Sequence, residues 1–320
     1  MALAGIATTI RRVAGRAVRL SGAYRLVHAP VERLRGGYVL AYHNLPGALF
    51  EEQVAALAPS RPIPLDDLVE RHARGAPTGG LFAITFDDGV ADTVRDIAEV
   101  ARRRQWPVTF YLPTRYLDEP GGMPFQWLRA IERKAPDCTV DLAGETIDLG
   151  TAEKRRDLAK RLTRVMYTRP WAEYAPRLRA IADALVARGL VAPGTLAAPA
   201  AVSWAEVETL ARDAVVSFES HGISHTAVAA LAPDELEHEL VASRRIIAEH
   251  TGRACRHFCY PYGGPASIGE VAPAAVARHY RSATTMSRGR LGRHALALLP
   301  RVPVYPHDDA DQVCLKVLTA

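Results

Sequence analysis

Three short stretches of this sequence carry side chains able to do chemistry. The first is Thr85-Phe86-Asp87-Asp88-Gly89, which ends the apolar run Leu81–Phe86. Two adjacent carboxylates there are costly to bury unless a metal or a cation compensates them. In extended chain their side chains point to opposite sides. A turn at Gly89 would bring both toward one mouth, one carboxylate binding a metal and the other free to act as a base. The same residues also fit a solvated turn that caps the next helix. The second stretch is Ser220-His221-Gly222-Ile223-Ser224-His225. Its histidines are spaced i, i+4, so one helical turn would place both imidazoles on one face. Two histidines and one carboxylate form a recurrent divalent-metal set with positions left open for water and substrate. A lone pair of this kind also occurs on surfaces and in cores. The third is Phe258-Cys259-Tyr260-Pro261-Tyr262-Gly263-Gly264, where Pro-Tyr-Gly-Gly favours a turn. Backbone N–H groups of such a turn can face a developing oxyanion, or the turn can be a plain connection.

Each stretch follows an apolar run, so the elements around them matter. Tyr38–Tyr42, Leu81–Phe86, Val108–Leu112, Val215–Glu219, His257–Tyr260, Arg281–Thr284 and Val302–Tyr305 read as buried strands. Helical patterns lie between them at about 65–74, 91–104, 204–212, 233–250 and 273–279. This alternation predicts an α/β fold, a parallel sheet with helices outside that closes toward a barrel. In a parallel barrel the strand C-termini share one face, where active sites form. The three stretches would then converge.

Residues at about 118–200 break the rhythm. They hold the loop Glu119-Pro120-Gly121-Gly122, a short hairpin near Thr139–Leu149, and helical patterns at 152–165 and 171–188. A stretch this long is an insertion rather than a connection, and Pro193–Ala201 reads as its return. Trp127 and Trp171 within it, and Trp204 after it, fit either stacking on a sugar ring or ordinary packing.

The charge is uneven. The 320 residues carry a net charge of +5, from 40 basic and 35 acidic side chains. Seven of the basic residues and one acidic residue fall in residues 1–35, so the remainder is close to neutral. This argues against a body that binds nucleic acid, and no basic patch interleaved with aromatics occurs in residues 36–320. In the lead segment Ile6, Ile10, Val13, Ala17, Leu20 and Tyr24 form one helical stripe with arginines on other faces. That stripe suits a peripheral contact of residues 1–25 with an anionic membrane, or packing against the main domain. The arginines also interrupt any secretory signal. The four cysteines, Cys138, Cys255, Cys259 and Cys314, lack metal-knuckle or dense disulfide spacing. These features predict free thiols and a cytoplasmic location, with membrane association where the lead segment makes that contact.

Taken together, Thr85–Gly89, His221–His225 and Tyr260–Gly263 resemble the NodB-homology polysaccharide deacetylases, carbohydrate esterase family 4. The resemblance covers about residues 36–305. It implies a distorted (β/α) barrel with a mainly helical insertion, and hydrolysis of N-acetyl groups from sugars by a divalent metal, zinc by preference. By motif, Asp87 matches the catalytic base and Asp88 the metal-binding aspartate. His221 and His225 match the histidine ligands, and Pro261 and Tyr262 the turn whose N–H helps to form an oxyanion hole. An N-acetylated saccharide is the implied partner.

Two departures matter. The family's third motif usually carries an arginine two residues before the proline, where Cys259 stands here. Arg301 is the first candidate to orient the base in its place, and Arg256 a weaker one. The usual C-terminal Leu-x-His motif that supplies a general acid has no clean copy. Some relatives carry Tyr-His at the end of an N-terminal strand, and Leu40-Ala41-Tyr42-His43 looks like that arrangement, which makes His43 the general acid, with His294 and His307 as fallbacks. Removal of a formyl or another small acyl group, or sugar binding without turnover, are the alternatives. The sequence names no particular sugar, metal preference or oligomeric state.

Overall fold

A computed structural model describes residues 36–118, 123–142, 144–196 and 198–320. The basic lead segment and the Glu119–Gly122 loop lie outside the described residues. In chain order the elements are β1 (Tyr38–Tyr42), α1 (Gly47–Ala55), β2 (Arg61–Pro62), α2 (Leu65–Ala73), β3 (Leu81–Phe86), α3 (Ala91–Arg104) and β4 (Val108–Leu112). Then come α4 (Pro124–Lys134), the hairpin β5 (Thr139–Leu142) and β6 (Glu145–Asp148), α5 (Ala152–Met166) and α6 (Trp171–Ala187). The chain continues with α7 (Trp204–Leu210), β7 (Val216–Ser220), α8 (Pro233–Thr251), β8 (His257–Cys259), α9 (Pro265–Ile268), α10 (Ala272–His279), β9 (Ser282–Arg288), β10 (Leu299–Pro303) and α11 (Ala310–Leu318).

Seven parallel strands close into a barrel in the order β1-β10-β9-β8-β7-β4-β3, and β3 returns to β1. The closing register runs from Tyr38 opposite Phe82 to Tyr42 opposite Phe86. β2 adds a two-residue pairing at the start of β3. Alternation along each strand separates two apolar layers. Tyr38, Leu40, Tyr42, Phe82, Ile84, Phe86, Phe110 and Phe218 face the helices. Val39, Ala83, Tyr111, Cys259 and Leu299 line the interior with Leu65, Leu68 and Val69 of α2, which lies across the strand N-termini. On the outer layer, cross-strand neighbours make an aromatic row: Tyr42 on Phe86 at 5.0 Å, Phe86 on Phe110 at 5.5 Å, and Phe110 on Phe218 at 5.7 Å. Such pairs add to the burial energy and fix strand register.

The stretch between β4 and β7, expected to be an insertion, carries its own apolar cluster, including Leu128, Ile131, Val140, Ile147, Leu158, Met166, Leu178 and Leu185. Its return segment rejoins the barrel at a defined place. Ala91 N–H donates to the Ala200 carbonyl (2.9 Å) and Val202 N–H to the Gly89 carbonyl (2.8 Å).

Several sequence expectations need correction. β10 starts at Leu299, three residues earlier than expected, so Arg301 lies inside the strand rather than before it. The helices α1, α4, α9 and α11 and the short strand β2 fall outside the expected elements. Residues 221–225 form a bent loop rather than a helical turn. Among the described residues no helix is long and apolar enough to cross a membrane. The four cysteines are free, and Cys255, Cys259 and Cys314 are buried.

Candidate active site

Asp87 continues the inward alternation of β3 by one residue, on the same side as Thr85. Its N–H donates to the Tyr42 carbonyl (2.9 Å), which extends the β1–β3 pairing and sets it beside His43. The next residue breaks the strand: Asp88 has φ 74 and Gly89 has φ 62. This left-handed pair turns the Asp88 carboxylate toward the mouth, and a Cβ at Gly89 would stand 2.6 Å from Leu112. Of the five non-glycine residues with positive φ among those described, Asp88, His225 and Tyr262 fall in the three sequence motifs. Backbone strain of this kind gathers at functional sites.

The two carboxylates meet opposite environments. Asp87 receives a two-pronged contact from Arg301, with both guanidinium nitrogens at 2.7 Å from its oxygens. Arg301 is completely buried, and its Nε donates to the Thr285 carbonyl (2.9 Å). One further nitrogen contact goes to Thr85 Oγ1 (3.1 Å) and another to Cys259 Sγ (3.1 Å). A register shift between β9 and β10 sets Arg301 in this position, the kind of irregularity that re-aims a side chain. Burial pushes the Asp87 carboxyl up, but the guanidinium outweighs it and holds the group below the usual carboxylate range. Burial likewise opposes charge on Arg301, and Asp87 reverses that effect.

Asp88 has imidazoles as its neighbours instead. Its carboxylate lies 3.3 Å from His225 Nε2 and 3.7 Å from His221 Nε2. His221 Nδ1 is bonded to the Cys259 carbonyl (2.7 Å), which leaves Nε2 for the site. Ligand atoms of Asp88, His221 and His225 all lie within 4.8 Å of one another. Asp87, His221 and Cys259 form an overlapping set. Burial, then the neighbouring His225, lowers the His221 pKa to about 4 and favours the neutral imidazole that a metal requires. No lysine or arginine neutralises Asp88 among the described residues, so the donor set fits a divalent cation.

The loop that carries the histidines is held from outside. The Leu112 and Gly222 carbonyls accept from His221 and Thr114 N–H. The Glu239 carboxylate on α8 accepts from Ile223 N–H (2.6 Å), Ser224 N–H (3.1 Å) and the Ser224 hydroxyl (2.6 Å). His43 completes the mouth: its Nε2 lies 3.7 Å from Asp87, and its side chain remains 39% exposed, so it can reach a bound molecule. Tyr262 follows the buried Pro261 with φ 62, and its ring packs on His225 at 4.9 Å.

The structure therefore brings His43, Asp87, Asp88, His221, His225, Pro261, Tyr262 and Arg301 to one end of the barrel. It leaves others elsewhere. Arg256 pairs with Asp66 at the opposite end (2.9 Å). His294 and His307 are exposed and are not among the histidines within 4 Å of Asp87 or Asp88. Trp127 lies under the Arg179 guanidinium and Trp204 stacks on His250. The Trp171 side chain is not among the described ones. Sequence reasoning gave no role to Thr85, Cys259 or Glu239. Cys259 and Thr85 had a usable signal, an inward position on a strand next to the site. Glu239 had none, because a glutamate on an amphipathic helix is ordinary.

Comparison with known proteins agrees with this geometry. The polysaccharide deacetylase family matches residues 74–271, more than half of the chain. That span includes Asp87, Asp88, His221, His225, Cys259 and Tyr262, while His43 and Arg301 fall outside it. No curated protein matches significantly. Among solved structures, the Streptococcus pyogenes deacetylase PplD in complex with acetate aligns with TM-score 0.56 and 12% identity, covering 88% of this chain and 98% of that one. A polysaccharide deacetylase from Bacillus cereus, BC0361, gives 0.55 and 15%, covering 88% and 69%. IcaB from Ammonifex degensii gives 0.54 and 17%, covering 88% and 96%. At these identities the likeness shows the fold, a closed parallel barrel surrounded by helices.

Proposed function

The chain belongs to the polysaccharide deacetylase family, and from that premise we propose that it is a metal-dependent hydrolase removing N-acetyl groups from an amino sugar in a polysaccharide, oligosaccharide or glycolipid precursor. One observation carries the reading. Two carboxylates adjacent in sequence have been given different neighbours, Asp87 a guanidinium and Asp88 two imidazoles. That division matches a base and a ligand.

Asp88, His221 and His225 would hold the cation, with zinc the best match to an oxygen and two imidazole nitrogens. A divalent ion bound there lowers the pKa of water and polarises a carbonyl. The remaining chemistry belongs to the chain. Arg301 fixes the Asp87 carboxylate, which accepts a proton from the attacking water as the C–O bond forms. The Tyr262 N–H stabilises the oxyanion of the tetrahedral intermediate. His43 protonates the sugar nitrogen as the C–N bond breaks. Acetate and a free amino sugar leave, and solvent carries the proton from Asp87 back to His43. Arg301 occupies the place beside Cys259, which supports turnover rather than a silent binding site.

The test is acetate release from N-acetylhexosamine oligomers. Chelation should abolish it and added zinc should restore it, while Asp87→Asn should lower kcat by roughly 10³-fold. Full activity in the chelated enzyme removes the metal from the reading, and full activity in Asp87→Asn removes the assigned base. Formylated sugars in the same panel separate the acyl groups. The basic amphipathic segment of residues 1–35 supports a peripheral membrane contact at a cytoplasmic face. Co-sedimentation with anionic vesicles, with and without residues 1–25, tests it.

A further inference from the structure

Tyr262 holds a left-handed backbone (φ 62), a conformation that residues with a Cβ keep only when their surroundings impose it. The barrel imposes one side. Met286 N–H donates to the Gly263 carbonyl (2.8 Å), and a Cβ at Gly263 would stand 2.6 Å from the Met286 nitrogen. The insertion imposes the other side. Phe125 of α4 and Tyr167, just past α5, meet the Tyr262 ring edge-to-face at centroid distances of 5.9 and 5.2 Å. The Tyr262 hydroxyl lies 3.7 Å from Met166 Sδ. Tyr262 thus packs with the apolar cluster of the insertion, although its backbone belongs to the barrel. The return segment of the same insertion grips the Gly89 turn through Ala200 and Val202.

We infer that the insertion is a positioning device for the reaction: Phe125, Met166 and Tyr167 clamp the Tyr262 ring and thereby aim the Tyr262 backbone N–H into the site. The inference rests on the oxyanion role given to Tyr262 above. Edge-to-face packing fixes a ring in orientation as well as in place. A ring released from that packing lets a strained turn relax, and an error of about 1 Å in a reacting geometry costs roughly 10²-fold in rate. The insertion then acts without touching the reacting atoms, so Phe125, Met166 and Tyr167 are positioning residues.

The experiment uses the full chain with Phe125→Leu and Tyr167→Leu, singly and together, and Tyr167→Phe as the variant that keeps the ring. The double variant is expected to lose roughly 10- to 100-fold in kcat, with KM changed by no more than about twofold. Tyr167→Phe should retain wild-type kcat. Amide hydrogen exchange at residues 262–264, which needs neither metal nor substrate, should quicken in the double variant and not in Tyr167→Phe. Unchanged kcat in a cooperatively folded double variant overturns the inference, as does a loss confined to KM or unchanged exchange at 262–264. If the double variant does not fold, Phe125→Leu alone carries the same three readouts. Asp87→Asn run in parallel separates the two levels. An active Asp87→Asn overturns the proposed reaction itself, and an inactive one beside an unaffected double variant overturns the clamp alone.

Discussion

Both ends of this barrel gather a cluster of opposite charges, partly exposed at one end and buried at the other. At the strand N-termini Asp66 is met by Arg256 (2.9 Å), Arg281 (2.7 Å) and His257 (3.3 Å). Glu219 beside it accepts from the N–H groups of Arg256 and His257, both at 2.7 Å. Asp66 there has cations and Glu219 has two backbone donors, so the cluster ties α2 to β8 and β9. At the strand C-termini the charges are sorted instead. Arg301 satisfies Asp87 as completely as anything at the far end, but Asp88 faces two imidazoles that offer lone pairs as readily as protons. Density of charge is common to both ends. What differs is whether the neighbours of a carboxylate neutralise it or join it as ligands.

That contrast can be broken from either end. The largest effect is expected for His225→Ala, which removes a ligand while leaving the ion pair intact. Zinc retained after dialysis should vanish and kcat/KM should fall roughly 10³-fold or more. Arg301→Met should cost about 4 kcal/mol of stability, measured by denaturant unfolding, because it strands a buried carboxylate. A loss below about 1 kcal/mol would mean that Asp87 finds another partner. His43→Asn should lower kcat on an N-acetyl sugar by roughly 10²-fold. The loss should shrink for an O-acetyl substrate, whose leaving group needs less help from an acid. The smallest effect belongs to the far end. Asp66→Asn should leave kcat untouched and cost about 1 kcal/mol at pH 7, a modest figure because the cluster is partly exposed and screened. Its sign with pH is fixed. The His257 imidazole at 3.3 Å and the nearby guanidiniums outweigh burial and hold the folded Asp66 pKa below its unfolded value. The contribution is therefore present above about pH 4 and lost as the pH falls further. A difference between wild type and Asp66→Asn that persisted well into acid would contradict this account.

The sequence made the strands and the three motifs legible because each strand is a short apolar run that ends in chemically distinctive residues. Leu81–Phe86 and Tyr38–Tyr42 have the bounds expected of them. What stayed hidden depended on distant contacts. Arg301 sits in a strand whose first residues, Leu299-Pro300, carry a proline, and the shift in register with β9 that aims it has no local signature. The histidine pair carries helical spacing, yet Gly222 (φ 81) and His225 (φ 54) bend the loop, and Glu239 from another helix holds the bend. The rings come together at 4.7 Å all the same. Spacing identified the partners, and tertiary hydrogen bonds decided the path between them. Helix α1 has a weak local signature because its buried face includes Gly47 and Gln53 beside Phe50 and Val54.

The closure of the barrel by β1 also sets an order of events during synthesis. β1 emerges first among the described strands, yet one of its two neighbours, β10, is separated from it by most of the chain. Arg301, which travels on β10, meets Asp87 across 214 residues of sequence. Pairings this distant form late and slowly. A ribosome-bound chain that has already displayed His43, both aspartates and both histidines still lacks β10 and the guanidinium that pairs with Asp87. On the proposed mechanism the nascent protein therefore has no fixed base until β10 has been made.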